Sequence, residues 1–482
     1  VYANMRGDNS SFSADIFVHA GIYRFEKSFE PISGMKLKAF GDGEVRLCGS
    51  KKISKELFKK TTDSGLLQKL SEDARGKVYE ADLSGLFYSM AKYPKYMALH
   101  GGTSYYELFC ADKPQVLARF PNYGFINTIS ASGRSFAAES NRLEIWKNSK
   151  YAMAAGYWVH DWAFENIYVD SIDTSLGKIT LSKDVYGSSI VSGKRYYMMN
   201  MPEEIDMPGE YYIDCENKKL YYYPTEDFLS NDPELSVLTT PIFKANGAQN
   251  LDISGMIFEY TRGVAIEGQN VKNMRISDCV VRNIGSNGIN ISGTDCTVEK
   301  CEIYGIGAMG VNISGGDRKT LFPGNNAVKN CSIYDFGRIF RTYQSGIMIS
   351  GVGNRAEYNT VHDAPHSGVR FSGNDNVITR NEIYNVVLEC SDSGAIYTGR
   401  DWTAWGNEIS YNYMHDIKKN TELTNFTVSA VYLDDTETGA TVKNNYFENC
   451  TQAVLAGGGC GNKIINNTMV ECDNGIDYDQ RG

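Results

Sequence analysis

GVAIEG (263–268), GINISG (288–293), GVNISG (310–315), GIMISG (346–351), GVRFSG (368–373), GAIYTG (394–399), AVYLDD (430–435), AVLAGG (453–458) and GIDYDQ (475–480) are nine copies of one phrase. Their starts lie 25, 22, 36, 22, 26, 36, 23 and 22 residues apart, a base period near 22 with three expansions. A unit of this size, made of strand and turn, buries its apolar face only by stacking on the next copy. The pattern predicts an all-β chain built on a right-handed parallel β-helix.

A second column supports the register. One position in the strand preceding each phrase reads Cys279, Cys301, Cys331, Asn359, Asn381, Asn412, Asn445, Asn467. From Asn359 onward this predicts an asparagine ladder, in which stacked amides satisfy one another where the backbone bends inward. Cysteine is small and tolerates burial, so it fills the same niche in earlier coils. Eleven cysteines, an odd number without a CxxC pair of zinc spacing, define neither a metal site nor a compartment.

With 482 residues, 42% hydrophobic and 22% charged, the chain has ample material for a large core. A net charge of −10 and the lack of a basic stripe argue against a nucleic-acid partner. No apolar run of about 18 residues predicts insertion into a membrane. VYANMRGDN at Val1 reads as the end of a helix, and the last strand stops just before Gly482, so both ends look cut.

Three regions follow: N-terminal β-helix coils over 1–51, an inserted β-rich module over 52–245, and the main β-helix over 246–482. Within the insertion, KKISKELFKK and LLQKLSEDA have helical spacing, whereas the tyrosine-rich runs beyond predict antiparallel hairpins. The module is expected to wall one side of a groove along the solenoid. The loops GGDRKTLFPGNN (315–326) and KKNTELTN (418–425) are expected to add further walls.

Alternation places the second and fourth residues after each leading Gly or Ala outward. The fourth column reads Glu267, Ser292, Ser314, Ser350, Ser372, Thr398, Asp434, Gly457, Asp479, so carboxylates interrupt a run of hydroxyls late in the solenoid. Glu389, Asp392, Tyr397, Arg400, Asp401, Trp402, Asp434 and Asp435 gather in two consecutive coils, and His366 and Arg370 lie one coil before. His366 is read into the column of Asp392. Carboxylates serve as general acid and base, indole stacks on a pyranose face, and arginine and histidine bind hydroxyls or a uronate. Each also has a structural reading: an aspartate caps a turn, Arg400 with Asp401 forms a surface pair, and Trp402 and Trp405 pack a loop. Asp434 and Asp479, two coils apart, fall ~9.6 Å from each other, at the inverting end of glycosidase geometry. Pairing Asp392 with Asp434 needs a corner between them, for which Ser393-Gly394 is one candidate.

The runs GIYRFEKSFEP, QVLARFPN, GYWVHDWA, MPGEYYIDCENKKLYYYP, GGDRKTLFPGN, HDAPHSG, DSGAIYTGRDWTAWG, AVYLDD, AVLAGGG and GIDYDQRG resemble those of large secreted bacterial β-helix carbohydrate enzymes. The family they resemble most is glycoside hydrolase family 141, known for α-L-fucosidase and xylanase activities. The resemblance covers nearly the whole chain. It implies an oligo- or polysaccharide substrate, no cofactor, and a secreted, periplasmic or cell-surface location in a bacterium, although buried free thiols leave the cytoplasm open. Related β-xylosidases carry a nucleophilic Asp in a phrase like YLDD and an acid/base Glu one coil on. Asp434 matches the first, but Gly457 stands near the second, so that acid is missing. The resemblance therefore implies a catalytic pair from Asp392, Asp434, Asp401 and Asp435, with the first two preferred. Glu389, His366, Arg370, Tyr397, Arg400, Trp402 and Asp479 are the expected substrate-binding residues, joined by Trp158 and His160 of the GYWVHDWA run. Two rival readings stay open: a polysaccharide lyase on uronates with Ca²⁺ on Asp434 and Asp435 and Arg370 or Arg400 as base, and a non-catalytic glycan-binding β-helix. The oligomeric state is not legible.

Overall fold

The structure is a computed structural model that describes residues 13–480 apart from 95, 98–100, 139–140 and 424–426. The helix end read at Val1 and the close of the 418–425 loop lie outside the described residues. The chain divides into two compact units: one runs to Gly49 and again from Leu238 onward, the other spans Ser50–Val237. The strand Phe243–Asn246, read above as the end of the insertion, pairs in parallel with the Ile266–Ser277 strand of the next coil.

In the first unit each regular coil carries three strands. Ile347–Val352, Arg355–Glu357 and Thr360–His362 pair in parallel with Val369–Asn374, Val377–Thr379 and Glu382–Tyr384 of the following coil. Repetition yields one 21-stranded and one 11-stranded sheet wrapped about a shared core. The inward positions of each phrase, such as Ile289, Ile291, Val311, Ile313, Ile347 and Ile349, are no more than 3% exposed. Stacking like on like removes each from water; fully burying one such side chain is worth about 1.5–3 kcal/mol.

The bends explain the polar columns. The residue before each ladder position is left-handed: Asp278, Lys300, Asn330, Tyr358, Arg380, Tyr411, Asn444 and Asn466 have φ between 52° and 58°. That conformation costs a non-glycine residue about 1–2 kcal/mol, and the ladder offsets it. Asn381 Oδ1 accepts both the backbone N–H (3.0 Å) and the side-chain Nδ2 (2.9 Å) of Asn359, while Asn381 Nδ2 passes the pattern to Asn412. The thiols of Cys279, Cys301 and Cys331 instead donate to the Ser277, Glu299 and Lys329 carbonyls. A second ladder, absent from the reading above, runs through Asn326, Asn354, Asn376 and Asn407 at the bend between first and second strands.

One register differs from the phrase alignment. Val369 pairs with Ile396 and Arg370 with Tyr397, and Tyr397 pairs with Tyr432. The sixth copy therefore starts at Ala395 rather than Gly394, which turns Tyr397 outward and Thr398 into the core. Gly394 itself passes close over the next coil, where a Cβ would lie 2.7 Å from Tyr432 Cβ.

The second unit contains a closed six-stranded antiparallel barrel: Arg195–Met199, Ile126–Ser132, Ser135–Ala138, Lys178–Leu181, Phe164–Asp173 and Met153–Tyr157, which returns to the first. The helical spacing over 51–74 yields only single turns, Lys55–Leu57 and Ser64–Leu67. Between them Phe58–Lys60 pairs with the strand Tyr79–Asp82, so sheet hydrogen bonds override the local propensity. No helix among the described residues is long and apolar enough to cross a membrane.

Candidate active site

Four side chains on two consecutive coils interlock. Tyr397 donates to Asp434 Oδ2 of the next coil at 2.7 Å, and Tyr432 of that coil reaches back to Asp392 Oδ1 at 2.8 Å. The two rings meet edge to face with centroids 5.5 Å apart. Each aspartate is thus held by a phenol rooted on the neighbouring strand, and the two pairs cross. Asp392 reaches this face because it makes the corner itself: its φ is 54°, and the continuous strand Ser393–Gly399 begins directly after it. The corner lies one residue earlier than Ser393-Gly394. Burial, then the charge of Asp434, raises the Tyr397 pKa, so its proton stays available for donation.

Asp434 is 6% exposed, and its Oδ1 accepts the Asp435 backbone N–H at 2.9 Å. Arg400 lies over both acids, 3.8 Å from Asp434 Oδ2 and 3.2 Å from Asp435 Oδ2, with most of its own side chain in solvent. A guanidinium already occupies the face that a Ca²⁺ held by these two residues needs, so this donor set does not suit that ion.

The remaining candidates separate. Asp401 accepts from the Thr403 backbone N–H and hydroxyl and pairs with Arg318 at 2.8 Å. Burial raises its pKa, but Thr403 and Arg318 outweigh it and leave the carboxyl below its ordinary value. It closes a turn and anchors the 315–326 loop, whose Arg318 also bonds Asn374 and Thr403. Glu389 forms a two-point ion pair with Arg341. The Val369–Ile396 register, continued backwards, brings His366 level with Ser393 rather than Asp392, and its Nε2 lies 3.5 Å from the Ser393 hydroxyl. Burial, then the neighbouring Arg370 charge, pushes its pKa down to about 3, so it is a neutral imidazole beneath the face. Trp402 stands 74% exposed, whereas Trp405 lies against Gly439 and Gly461. Asp479 is exposed in the Asp434 column, two coils on.

Trp158 and His160 belong to the other unit. Trp158 is 1% exposed in the barrel core against Phe136 and Tyr196, which leaves its ring no face for a sugar. His160 stacks on Trp162 at 4.5 Å.

Glu437, three residues beyond Asp434, was missed because it follows the phrase and falls in no column. It is fully buried, and its carboxyl lies beside the Thr398 side chain without a well-formed hydrogen bond. Burial, followed by the charge of Asp401, lifts its pKa to about 8, so it carries a proton at neutral pH.

Comparison with known proteins agrees with the fold. Residues 262–398 match the family model described as a right handed beta helix region. No curated protein sequence matches the chain. Among solved structures it is similar to one titled "Glycoside hydrolase", with a TM-score of 0.73 at 16% identity, covering 96% of this chain and 89% of that one. A structure titled as the complex of XylC with xylose follows at a TM-score of 0.48 and 12% identity, covering 94% of this chain and 64% of that one. Identity this low bears on the architecture alone: a right-handed parallel β-helix carrying an antiparallel β module.

Proposed function

We propose that this protein is a glycoside hydrolase in which Asp392 and Asp434 are the catalytic carboxyl groups. The observation that carries the reading is the crossed Tyr397–Asp434 and Tyr432–Asp392 arrangement, which fixes two carboxyls on the outward face of adjacent coils. Hydrolysis of a glycosidic bond needs one carboxylic acid to protonate the departing oxygen. It also needs a carboxylate that activates water or attacks the anomeric carbon. The phenols pre-orient both groups, and Arg400 offers a cation to substrate hydroxyls beside them. The likeness to a structure titled as a glycoside hydrolase supports the class; fucosyl and xylosyl linkages are the first to test.

The test is incubation with fucosylated, xylan and pectic glycans, scoring new reducing ends and the ultraviolet absorbance of unsaturated uronates. Reducing ends without absorbance, lost in Asp434→Asn and Asp392→Asn but unaffected by a chelator, are expected. Absorbance abolished by a chelator makes the protein a lyase instead; glycan binding without turnover leaves it a binding protein.

A further inference from the structure

Among the described residues, Arg370 is a cation without a carboxylate counter-ion. It occupies the outward column one coil before Tyr397, its side chain partly exposed, and its Nη1 donates to the Tyr343 carbonyl at 2.9 Å. The guanidinium carbon lies 5.4 Å from the ring centroids of both Tyr343 and Tyr397. Its Nε is buried and has no acceptor. Among the described residues no carboxylate pairs with it, whereas Arg318 has Asp401, Arg341 has Glu389, and Arg400 has Asp434 and Asp435. The imidazole nearest to it is neutral. In a chain of net charge −10, an arginine half out of water and left unpaired is an unfavourable arrangement that a structural role does not require. The two tyrosine rings lie within cation–π distance of the guanidinium, and among the described residues its Nη2 and the second Nη1 hydrogen have no acceptor.

We propose that Arg370 is the receptor for a carboxylate on the substrate, so that the glycan bound on this face contains a uronic acid. The free Nη1 and Nη2 edge forms a planar fork that matches a carboxylate bidentately. One coil, about 4.8 Å, separates it from the Tyr397–Asp434 pair, a step on the scale of one pyranose ring. The uronate therefore sits at, or next to, the sugar whose bond is cut. This inference rests on the reading of the face as a glycan site, but not on the hydrolytic chemistry.

Calorimetric titration of the full chain with trigalacturonate, a glucuronate-bearing xylan oligosaccharide and an α-guluronate trimer, each beside its carboxyl-reduced counterpart, tests it. At least one acidic probe is expected to bind 10-fold or more tighter than its reduced form. Arg370→Met is expected to bring that ratio to about one while melting no lower than the native chain, because it removes an unpaired cation. Arg370→Lys keeps the charge without the fork and is expected to retain only part of the preference. Equal binding of every acidic and reduced pair, no binding of any acidic probe, or an acid preference that survives Arg370→Met overturns the proposal. So does equal affinity for a sulfate ester in place of the carboxyl, which marks a general anion site. Hydrolysis of a neutral glycan without acid preference sinks this inference and spares the hydrolase; acid-dependent binding without new reducing ends does the reverse.

Discussion

At the scale of the residue, the proposed hydrolysis turns on two aspartates whose partners lie on each other's coils. Replacing either Asp392 or Asp434 by Asn is expected to lower glycan hydrolysis by about 100-fold or more, the usual weight of a positioned acid or base. Tyr397→Phe removes the donor to Asp434 and keeps the ring, so a smaller loss, about 10-fold in kcat, is expected from steady-state kinetics. Glu437 governs a different property. The unfolded carboxyl ionises near 4.5 and the buried one at about 8, so between those values the native state holds a proton that the unfolded chain has released. Stability is thus expected to fall as pH rises through that window, by on the order of 1 kcal/mol per unit, and to level off above about pH 8. Chemical denaturation of Glu437→Gln beside the native chain checks this: the difference between them is expected to grow with pH in the variant's favour.

At the scale of the element, the bend matters more than the strand. Three strands per coil leave three corners, and two are fastened by amide ladders. Asn381→Ala takes the acceptor from the Asn359 backbone N–H and from one hydrogen of its Nδ2, whose other bond to the Val328 carbonyl remains, and takes a donor from the Ala356 carbonyl in the middle of the stack. A loss of about 1–3 kcal/mol per orphaned group is expected in urea unfolding. Asn467→Ala, at the ladder's end, removes the equivalent three bonds but in a part-buried setting where water can replace them, and is expected to cost less. Gly373 is equally constrained: its φ is +100° and a Cβ would meet the Gly351 carbonyl oxygen at 2.0 Å. The first ladder was legible because Cys279 to Asn467 recur at the phrase's own period. The second was equally periodic from Asn326 to Asn407, but its residues lie close behind the phrase and read as ordinary turn asparagines.

At the scale of the whole molecule, the insertion leaves and rejoins the solenoid at one point. Leu238 N donates to the Gly49 carbonyl at 2.9 Å, so the solenoid's backbone pairing closes across the gap. Excising 50–237 and joining the ends through a short turn is expected to leave a folded β-helix, checked by circular dichroism and a cooperative melt. Activity of that shortened chain reports separately whether the module serves the reaction. The sequence by itself determined the stacked coils, the antiparallel module and the neighbourhood of the acids. These depend on period and alternation, which are local and repeat until they are unmistakable. Only the tertiary structure decided the one-residue shift that turns Tyr397 outward, the corner at Asp392, the burial of Trp158 and the unpaired state of Arg370. Each depends on which atoms of another coil or strand come within a few ångströms, and no spacing along one chain specifies that.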